Sequence, residues 1–102
     1  MAVFKTSDVN QQAVRRAMQY WIDHWDWECT TLFGIELNDM KSALHSWPSA
    51  IGEDDPKLEA AATGALRELL YGASALPKSA VQEALGISYD SVENLLKELY
   101  GE

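Results

Sequence analysis

The sequence is poor in positive charge and has only one cysteine. Its 102 residues carry 8 lysine and arginine side chains against 16 acidic ones, a formal net charge of −8. Because nucleic acids and anionic membranes are bound through basic patches, this balance argues against a generic binder of either and favours a basic partner. Cys29 stands alone and cannot form an internal disulfide, so we expect a buried thiol in a reducing compartment.

Long apolar runs are also missing. No segment of the sequence approaches the roughly 20 apolar residues that a membrane-spanning helix needs. The first nine residues contain no apolar core of a secretory signal peptide. We therefore expect a cytoplasmic protein without a membrane partner. The length predicts a single helical domain, residues 1–102.

Strand-like alternation, internal repeats and low-complexity tracts are absent, whereas helical periodicity covers nearly the whole chain. The sequence therefore predicts an all-α fold, a compact bundle of about five helices with a long N-terminal helix and a C-terminal helix pair. Glycines and prolines separate these helices. The expected ranges are 9–33, 36–46, 56–71, 77–85 and 89–100.

The longest periodic segment, residues 9–33, organises this prediction. Eight residues recur on one side of it at the helical spacing: Val14, Met18, Trp21, Ile22, Trp25, Cys29, Leu32 and Phe33. At 1.5 Å per residue, such a helix is roughly 37 Å long. That length exceeds the diameter of a domain of this size, so we expect one end of the helix to kink, break or protrude.

Three large side chains, Tyr20, His24 and Trp27, fall on the opposite side of the same predicted helix. They are core residues if the helix is central and covered on both sides. Otherwise they form a binding surface, because tryptophan and tyrosine dominate interface hot spots. Together with Asp23 and Asp26 they are our candidate partner-binding residues. A homodimer that pairs Trp27 with its own copy across a two-fold axis is an open alternative.

Acidic surface and exposed aromatic side chains together suit a cationic protein partner, because charge speeds the encounter and desolvated aromatic rings supply affinity. Small acidic bacterial immunity proteins and antitoxins block basic nuclease toxins in this way. The chain is similar to them in type, without a shared motif. The sequence thus predicts a protein–protein interaction module, in its specific form an immunity or antitoxin-type inhibitor of a basic toxin. The alternative is that the acidic charge serves only solubility.

Residues 80–96 resemble a helix-turn-helix unit. The matching positions are Val81, Leu85, Gly86, Ile87, Ser88, Val92 and Leu95. Gly86 permits a left-handed turn, Ile87 fills the angle between the helices and Ser88 caps the second helix. The resemblance implies a DNA-binding regulator. Its recognition helix would present Ser88, Tyr89, Ser91 and Asn94.

Charge opposes that second interpretation. Between residues 79 and 102, Lys97 is the only cation, against Glu83, Asp90, Glu93, Glu98 and Glu102. Since DNA affinity rests on phosphate neutralisation, we expect no nucleic-acid partner unless basic residues from elsewhere reach this helix. The N-terminal candidates for that role are Lys5, Arg15 and Arg16.

Signatures of catalysis and metal binding are absent from the sequence. The acidic residues of positions 23–39, with His24 and Cys29, invite a metal interpretation, but they match no known ligand spacing. No glycine-rich phosphate loop is present, and His45 and Ser46 are helical neighbours that point in different directions. We therefore predict no catalytic residue, no metal, no cofactor and no enzymatic activity.

Overall fold

A computed structural model describes residues 8–47, 56–72 and 76–99, and all regular structure within these ranges is α-helical. The six helices are α1 (Asp8–Asp23), α2 (Cys29–Phe33), α3 (Leu37–Ser46), α4 (Pro56–Tyr71), α5 (Lys78–Leu85) and α6 (Tyr89–Leu99). The predicted all-α bundle is confirmed. Among the described helices, none is long and apolar enough to cross a bilayer.

The helix predicted for residues 9–33 breaks before its C-terminal end, as its length led us to expect. Helix α1 ends at Asp23, and α2 begins only at Cys29 after a turn. The turn allows Trp25 to stack on Phe33, with 5.6 Å between the ring centroids. Burial of these two rings against each other is not available to a straight helix, because residues eight apart lie about 12 Å from one another along its axis.

Helix α3 is held at both of its ends. A capping box at its N-terminus pairs the side chains of Glu36 and Asp39 with each other's backbone N–H groups. At its C-terminus, the Arg15 guanidinium donates hydrogen bonds to the carbonyls of Leu44, at 3.1 Å, and Trp47, at 3.2 Å. Both carbonyls lie at the end of α3, where regular i+4 bonding stops, and the two bonds attach α3 to α1.

Helix α4 packs more extensively on α1 than on any other described helix. The two come close because Ala61, Ala62 and Ala65 on α4 are buried and have small side chains. The Trp21 indole N–H donates to the Ala65 carbonyl over 2.9 Å, which joins the helices by a buried hydrogen bond. Small residues on α4 therefore make room for the large ring on α1.

Gly64 explains why α2 also reaches α4. A Cβ atom added at Gly64 would lie 2.8 Å from Cδ1 of Phe33, closer than packed carbon atoms approach. The absence of a side chain at Gly64 therefore provides the space that the Phe33 ring fills.

The C-terminal helix pair has the local geometry that the sequence predicts. Gly86 has φ 79° and ends α5 in the left-handed conformation. The Ser88 hydroxyl accepts the Ser91 N–H over 3.2 Å, which caps α6. The apolar positions of the resemblance that are buried are Val81, Leu85, Val92 and Leu95. Helix α5 packs on α1 and helix α6 packs on α4.

Candidate protein-binding site at the α1–α2 junction

The junction between α1 and α2 turns two tryptophans in opposite directions. Trp25 is half-buried and stacks on Phe33, whereas Trp27, two residues later, is 85% exposed. Trp21 meets the same Phe33 ring edge-on, with 5.2 Å between centroids. We call Trp21, Trp25 and Phe33 the aromatic core. The turn thus separates an inward-facing aromatic group from a single outward-facing ring.

Asp26 holds the turn that carries Trp27. Its Oδ1 accepts the N–H of Glu28 over 2.9 Å, and its carbonyl accepts the N–H of Cys29 over 3.2 Å. The first bond closes an Asx turn around Trp27, and the second begins α2. Trp27 therefore projects from a hydrogen-bonded turn with defined backbone geometry.

The buried Cys29 side chain is hydrogen-bonded to Asp26 and so attaches this turn to the core. The side chain is 1% exposed, as expected from the sequence. The Asp26 N–H donates to Sγ over 3.5 Å, and the thiol donates to Oδ1 of Asp26 over 3.6 Å. Burial raises the pKa of the Cys29 thiol, and the nearby Asp26 carboxylate raises it further, while the Asp26 N–H acts in the opposite direction. The thiol is therefore protonated near neutral pH.

Tyr20, on α1, and His24, just after the end of α1, form a separate pair. Their rings stack with centroids 4.2 Å apart, and Tyr20 also meets Trp21 edge-on. Tyr20 is half-buried against the core, and His24 is exposed. Because the helix breaks after Asp23, Trp27 is not on their helical face, and it makes no ring contact with either within the described structure.

The two predicted acidic site residues are exposed but differ in their bonding. Asp23 accepts a hydrogen bond from the Gln19 side-chain amide over 2.9 Å, one turn earlier on α1. Asp26 uses its carboxylate within the turn. Asp23 is therefore a surface carboxylate, whereas Asp26 also has a structural part in presenting Trp27.

An open groove of about 230 Å³ lies beside Trp27, and we call it the Trp27 groove. It is lined by Trp27, Glu28, Thr31 and Leu32. Leu32 was expected in the buried stripe, and that expectation is wrong, since it is 38% exposed. In the short helix α2, Cys29 and Phe33 are the buried residues, one turn apart on the same face. Thr31 and Leu32 are thereby turned outward.

Sequence reasoning missed Glu28, Thr31 and Leu32 as site residues. Their spacing places them on one helical face, and that face is exposed because the chain restarts as a new helix at Cys29. The sequence does carry one signal for this site: aromatic and acidic residues alternate directly in residues 25–28.

The segment of the chain that forms the groove carries only acidic charges. Residues 17–40 contain no lysine or arginine. The acidic residues of this segment are Asp23, Asp26, Glu28, Glu36 and Asp39. Within the described residues, the carboxylates of Asp23, Asp26 and Glu28 form no salt bridge. The potential at this surface is therefore negative and uncompensated, which attracts a cation from a partner.

The helix-turn-helix alternative places its residues on α5, α6 and the intervening turn. Ser88, Ser91 and Asn94 are exposed, and Tyr89 is half-buried with the Lys78 ammonium 5.2 Å from its ring centroid.

DNA binding by α6 would need a basic residue from elsewhere in the chain beside it, and Arg16 partly meets this condition. A Cβ atom on Gly86 would lie 2.5 Å from its Nη1, so the guanidinium rests against the turn before α6. Arg15 is directed to the end of α3 instead. Lys5 lies outside the described residues.

Acidic groups nevertheless remain on α6. Glu93 accepts a hydrogen bond from the Tyr71 hydroxyl over 2.7 Å. That bond is the main cause that raises the pKa of Tyr71 to about 12. A phosphate approaching this part of α6 would meet a carboxylate with no salt bridge in the described structure.

No protein-family model matches this chain, and neither a curated protein nor a solved structure matches it. In the part of the chain that the structure describes, no group of three or more histidine, cysteine and acidic side chains is arranged to hold a metal ion. The features of the molecule that point to a function are therefore the exposed Trp27, its groove and the acidic residues of the same segment.

Proposed function

We propose that this protein is a non-enzymatic protein-binding module that engages a basic partner through the Trp27 groove. The observation that carries the proposal is the 85% exposure of Trp27 on a turn fixed by Asp26. The turn fixes the backbone of Trp27, and a tryptophan side chain has only two torsion angles to order on binding, so most of the burial of its ring adds to affinity.

Charge supports a basic partner over a second copy of the chain. Two copies would bring −8 against −8, and like charges across an interface oppose association. A cationic protein would instead be drawn to the acidic segment of residues 17–40. Fast, electrostatically steered binding suits an inhibitor, and the specific form we propose is an immunity or antitoxin-type inhibitor of a basic bacterial toxin.

The test compares Trp27→Ala with Val9→Ala, which removes a smaller exposed apolar side chain, on α1. Proteins captured from lysates of the source cells by the wild type are identified, purified and titrated by calorimetry. We expect Trp27→Ala to weaken binding by about 30-fold or more, the size of a hot-spot loss, and Val9→Ala to change it less than about two-fold. The proposal fails if no purified partner depends on Trp27.

Single variants are better suited to this test than a double replacement of Tyr20 and Trp27. Tyr20 packs edge-on against Trp21, so its truncation also disturbs the core. Loss of binding by the double variant would then mix instability with loss of contact. Tyr20→Ala belongs in the series as a separate variant, measured at a temperature where it is folded.

A DNA-binding regulator is the second candidate, favoured by the capped turn at Gly86 and Ser88 and by Arg16 beside it. Fluorescence anisotropy of labelled random duplex DNA, at low and then at higher salt, tests it. We expect no binding at low salt, because one arginine cannot offset the acidic α6. Binding that weakens steeply with salt would instead move the regulator to first place.

A further inference from the structure

We infer that the Trp27 groove is a receptor for a single arginine side chain of the partner. The inference rests on the proposed function and deepens it by naming the group that the partner inserts. The four lining residues offer an aromatic face, a carboxylate, a hydroxyl and an aliphatic side chain. These groups suit, in the same order, the plane of a guanidinium, its positive charge, its N–H donors and the methylene stem of an arginine.

Trp27 supplies the surface for the guanidinium plane. Its ring is 85% exposed and has no ring or cation contact within the described structure, so its faces are accessible. Guanidinium groups are planar and weakly hydrated, and they stack on tryptophan faces with both cation–π and stacking attraction.

Glu28 supplies the charge partner. It stands immediately before α2 with helical backbone angles, its side chain is exposed, and it has no salt bridge among the described residues. A carboxylate can accept two parallel N–H bonds from one guanidinium, a geometry that an ammonium cannot reproduce. Glu28 and Trp27 both line the groove, so one bound cation can meet both.

Thr31 and Leu32 complete the same face. They follow Glu28 by three and four residues, the spacing that brings helical side chains together. Leu32 is 38% exposed and can cover the methylene stem of an arginine, as long cationic side chains commonly lie on apolar surface. The exposed Thr31 hydroxyl can accept one further N–H.

The size of the groove favours a side chain over a small-molecule ligand. Its volume of about 230 Å³ is below the roughly 300–1,000 Å³ that is typical of small-molecule pockets, and it is open to solvent. An aliphatic or aromatic side chain would fill the space but would cover Glu28 without pairing it, which is unfavourable. Within the described residues, Trp27 has no cation contact and Glu28 has no salt bridge, so no described cation competes for the groove.

The experiment uses the full chain labelled with ¹⁵N and three peptides that differ at one residue: acetyl-Gly-Arg-Gly-amide, its citrulline analogue and its lysine analogue. Citrulline has almost the shape of arginine but no charge. Proton–nitrogen spectra follow the four tryptophan indole N–H signals, and Trp27→Phe assigns one of them. We expect the arginine peptide to shift the Trp27 signal saturably, with a dissociation constant on the order of 10 mM.

Lysine should bind at least about five-fold more weakly than arginine, and citrulline should give no saturable shift. Glu28→Gln should weaken arginine binding by about five-fold or more. Glu83→Gln, which removes the same charge from an exposed position on α5, should change it less than about two-fold.

Three results would overturn the inference: no shift of the Trp27 signal, equal shifts with arginine and citrulline, or equal effects of Glu28→Gln and Glu83→Gln. Its failure is separable from failure of the proposed function. If a partner depends on Trp27 but the arginine peptide does not bind, the proposed protein-binding function stands, and a group other than arginine occupies the groove. If the peptide binds but no partner depends on Trp27, the groove is an arginine receptor without the proposed role.

Discussion

Trp25 and Trp27 stand two residues apart and have opposite environments. Trp25 packs on Phe33 within the aromatic core, whereas Trp27 projects from the turn beside Glu28. The difference arises from where the helix breaks, since the turn after Asp23 reverses which side of the chain faces the core. Two identical side chains thus serve stability in one case and are available for binding in the other.

Burial of the aromatic rings at this junction depends on the small residues of α4 and on the backbone carbonyl that they leave accessible. Gly64 and Ala65 leave space for Phe33 and an acceptor carbonyl for Trp21. No small-residue surface faces Trp27 in the described structure. The aromatic core should therefore be sensitive to every change of volume, and the Trp27 groove should tolerate such changes without loss of stability.

The largest expected effect is the contrast between Trp21→Ala and Trp27→Ala. Trp21→Ala empties a buried site and leaves the Ala65 carbonyl without its donor, so we expect a loss of about 3–5 kcal/mol in the free energy of unfolding. Trp27→Ala should change it by less than about 0.5 kcal/mol. Urea titration followed by circular dichroism measures both, and equal losses would remove the distinction between the two environments.

Gly64→Ala should cost about 1 kcal/mol. Alanine gains helix propensity of about 1 kcal/mol, but its Cβ atom would collide with the buried Phe33 ring, and overpacking costs typically 1–3 kcal/mol. In a Phe33→Leu background the smaller side chain should relieve the collision, so the same change should become neutral or stabilising. Urea titration of the four proteins gives the coupling, and the absence of any coupling would contradict this packing account.

Asp26→Ala should destabilise the protein by about 1 kcal/mol, because the N–H of Glu28 loses its acceptor and the turn loses its brace. Asp26→Asn keeps an oxygen acceptor and should retain most of the stability. Asp23→Ala is the control for loss of an exposed carboxylate and should change the free energy of unfolding by less than about 0.5 kcal/mol. Thermal melts compare the three variants, and equal losses for Asp23→Ala and Asp26→Ala would show that the turn does not depend on Asp26.

The smallest effect on stability concerns the Cys29 thiol. Its pKa is raised in the folded protein, chiefly by burial, so its contribution is complete below the ordinary thiol pKa and is lost as pH rises through the raised value. Because the thiolate is the reactive form, a disulfide reagent at pH 8 should react at least about ten-fold more slowly with the folded chain than with the urea-unfolded one.

The same reaction distinguishes the two tryptophans of the junction. Trp25→Ala removes a ring from the core and should accelerate the reaction of Cys29, whereas Trp27→Ala should leave its rate unchanged. If Trp27→Ala alone accelerated the reaction of Cys29, the Trp27 ring would have to cover the thiol, which would contradict the structure described above.

Local signals in the sequence predicted much of the fold. Helix α4 has the predicted range, and α3 and α5 each begin one residue later than predicted. The turn at Gly86 and the cap at Ser88 are as expected, because both depend on the conformational freedom or hydrogen bonding of one residue and its neighbours. The predicted range of the last helix reaches residue 100, which lies outside the described residues.

The candidate site was predicted only in part. Trp27 was selected because it lies off the apolar stripe, and it is exposed. Tyr20 and His24 were grouped with it by a helical wheel that assumes a continuous helix, and the break after Asp23 removes that shared face. Leu32 could not be selected, because a helical wheel carried through residue 33 assigns it to the core. Thr31 follows Trp27 by four residues, on the same face of that wheel, and was overlooked.

Periodicity, charge and capping act over a few residues, so the all-α class, the acidic charge and the positions where several helices begin and end follow from the sequence. Which tryptophans are buried depends on tertiary contacts. Trp21 and Phe33 need small residues of α4 that are distant in the chain, and the cost of breaking the first helix is offset only once those contacts form. The Trp27 groove is a consequence of that break.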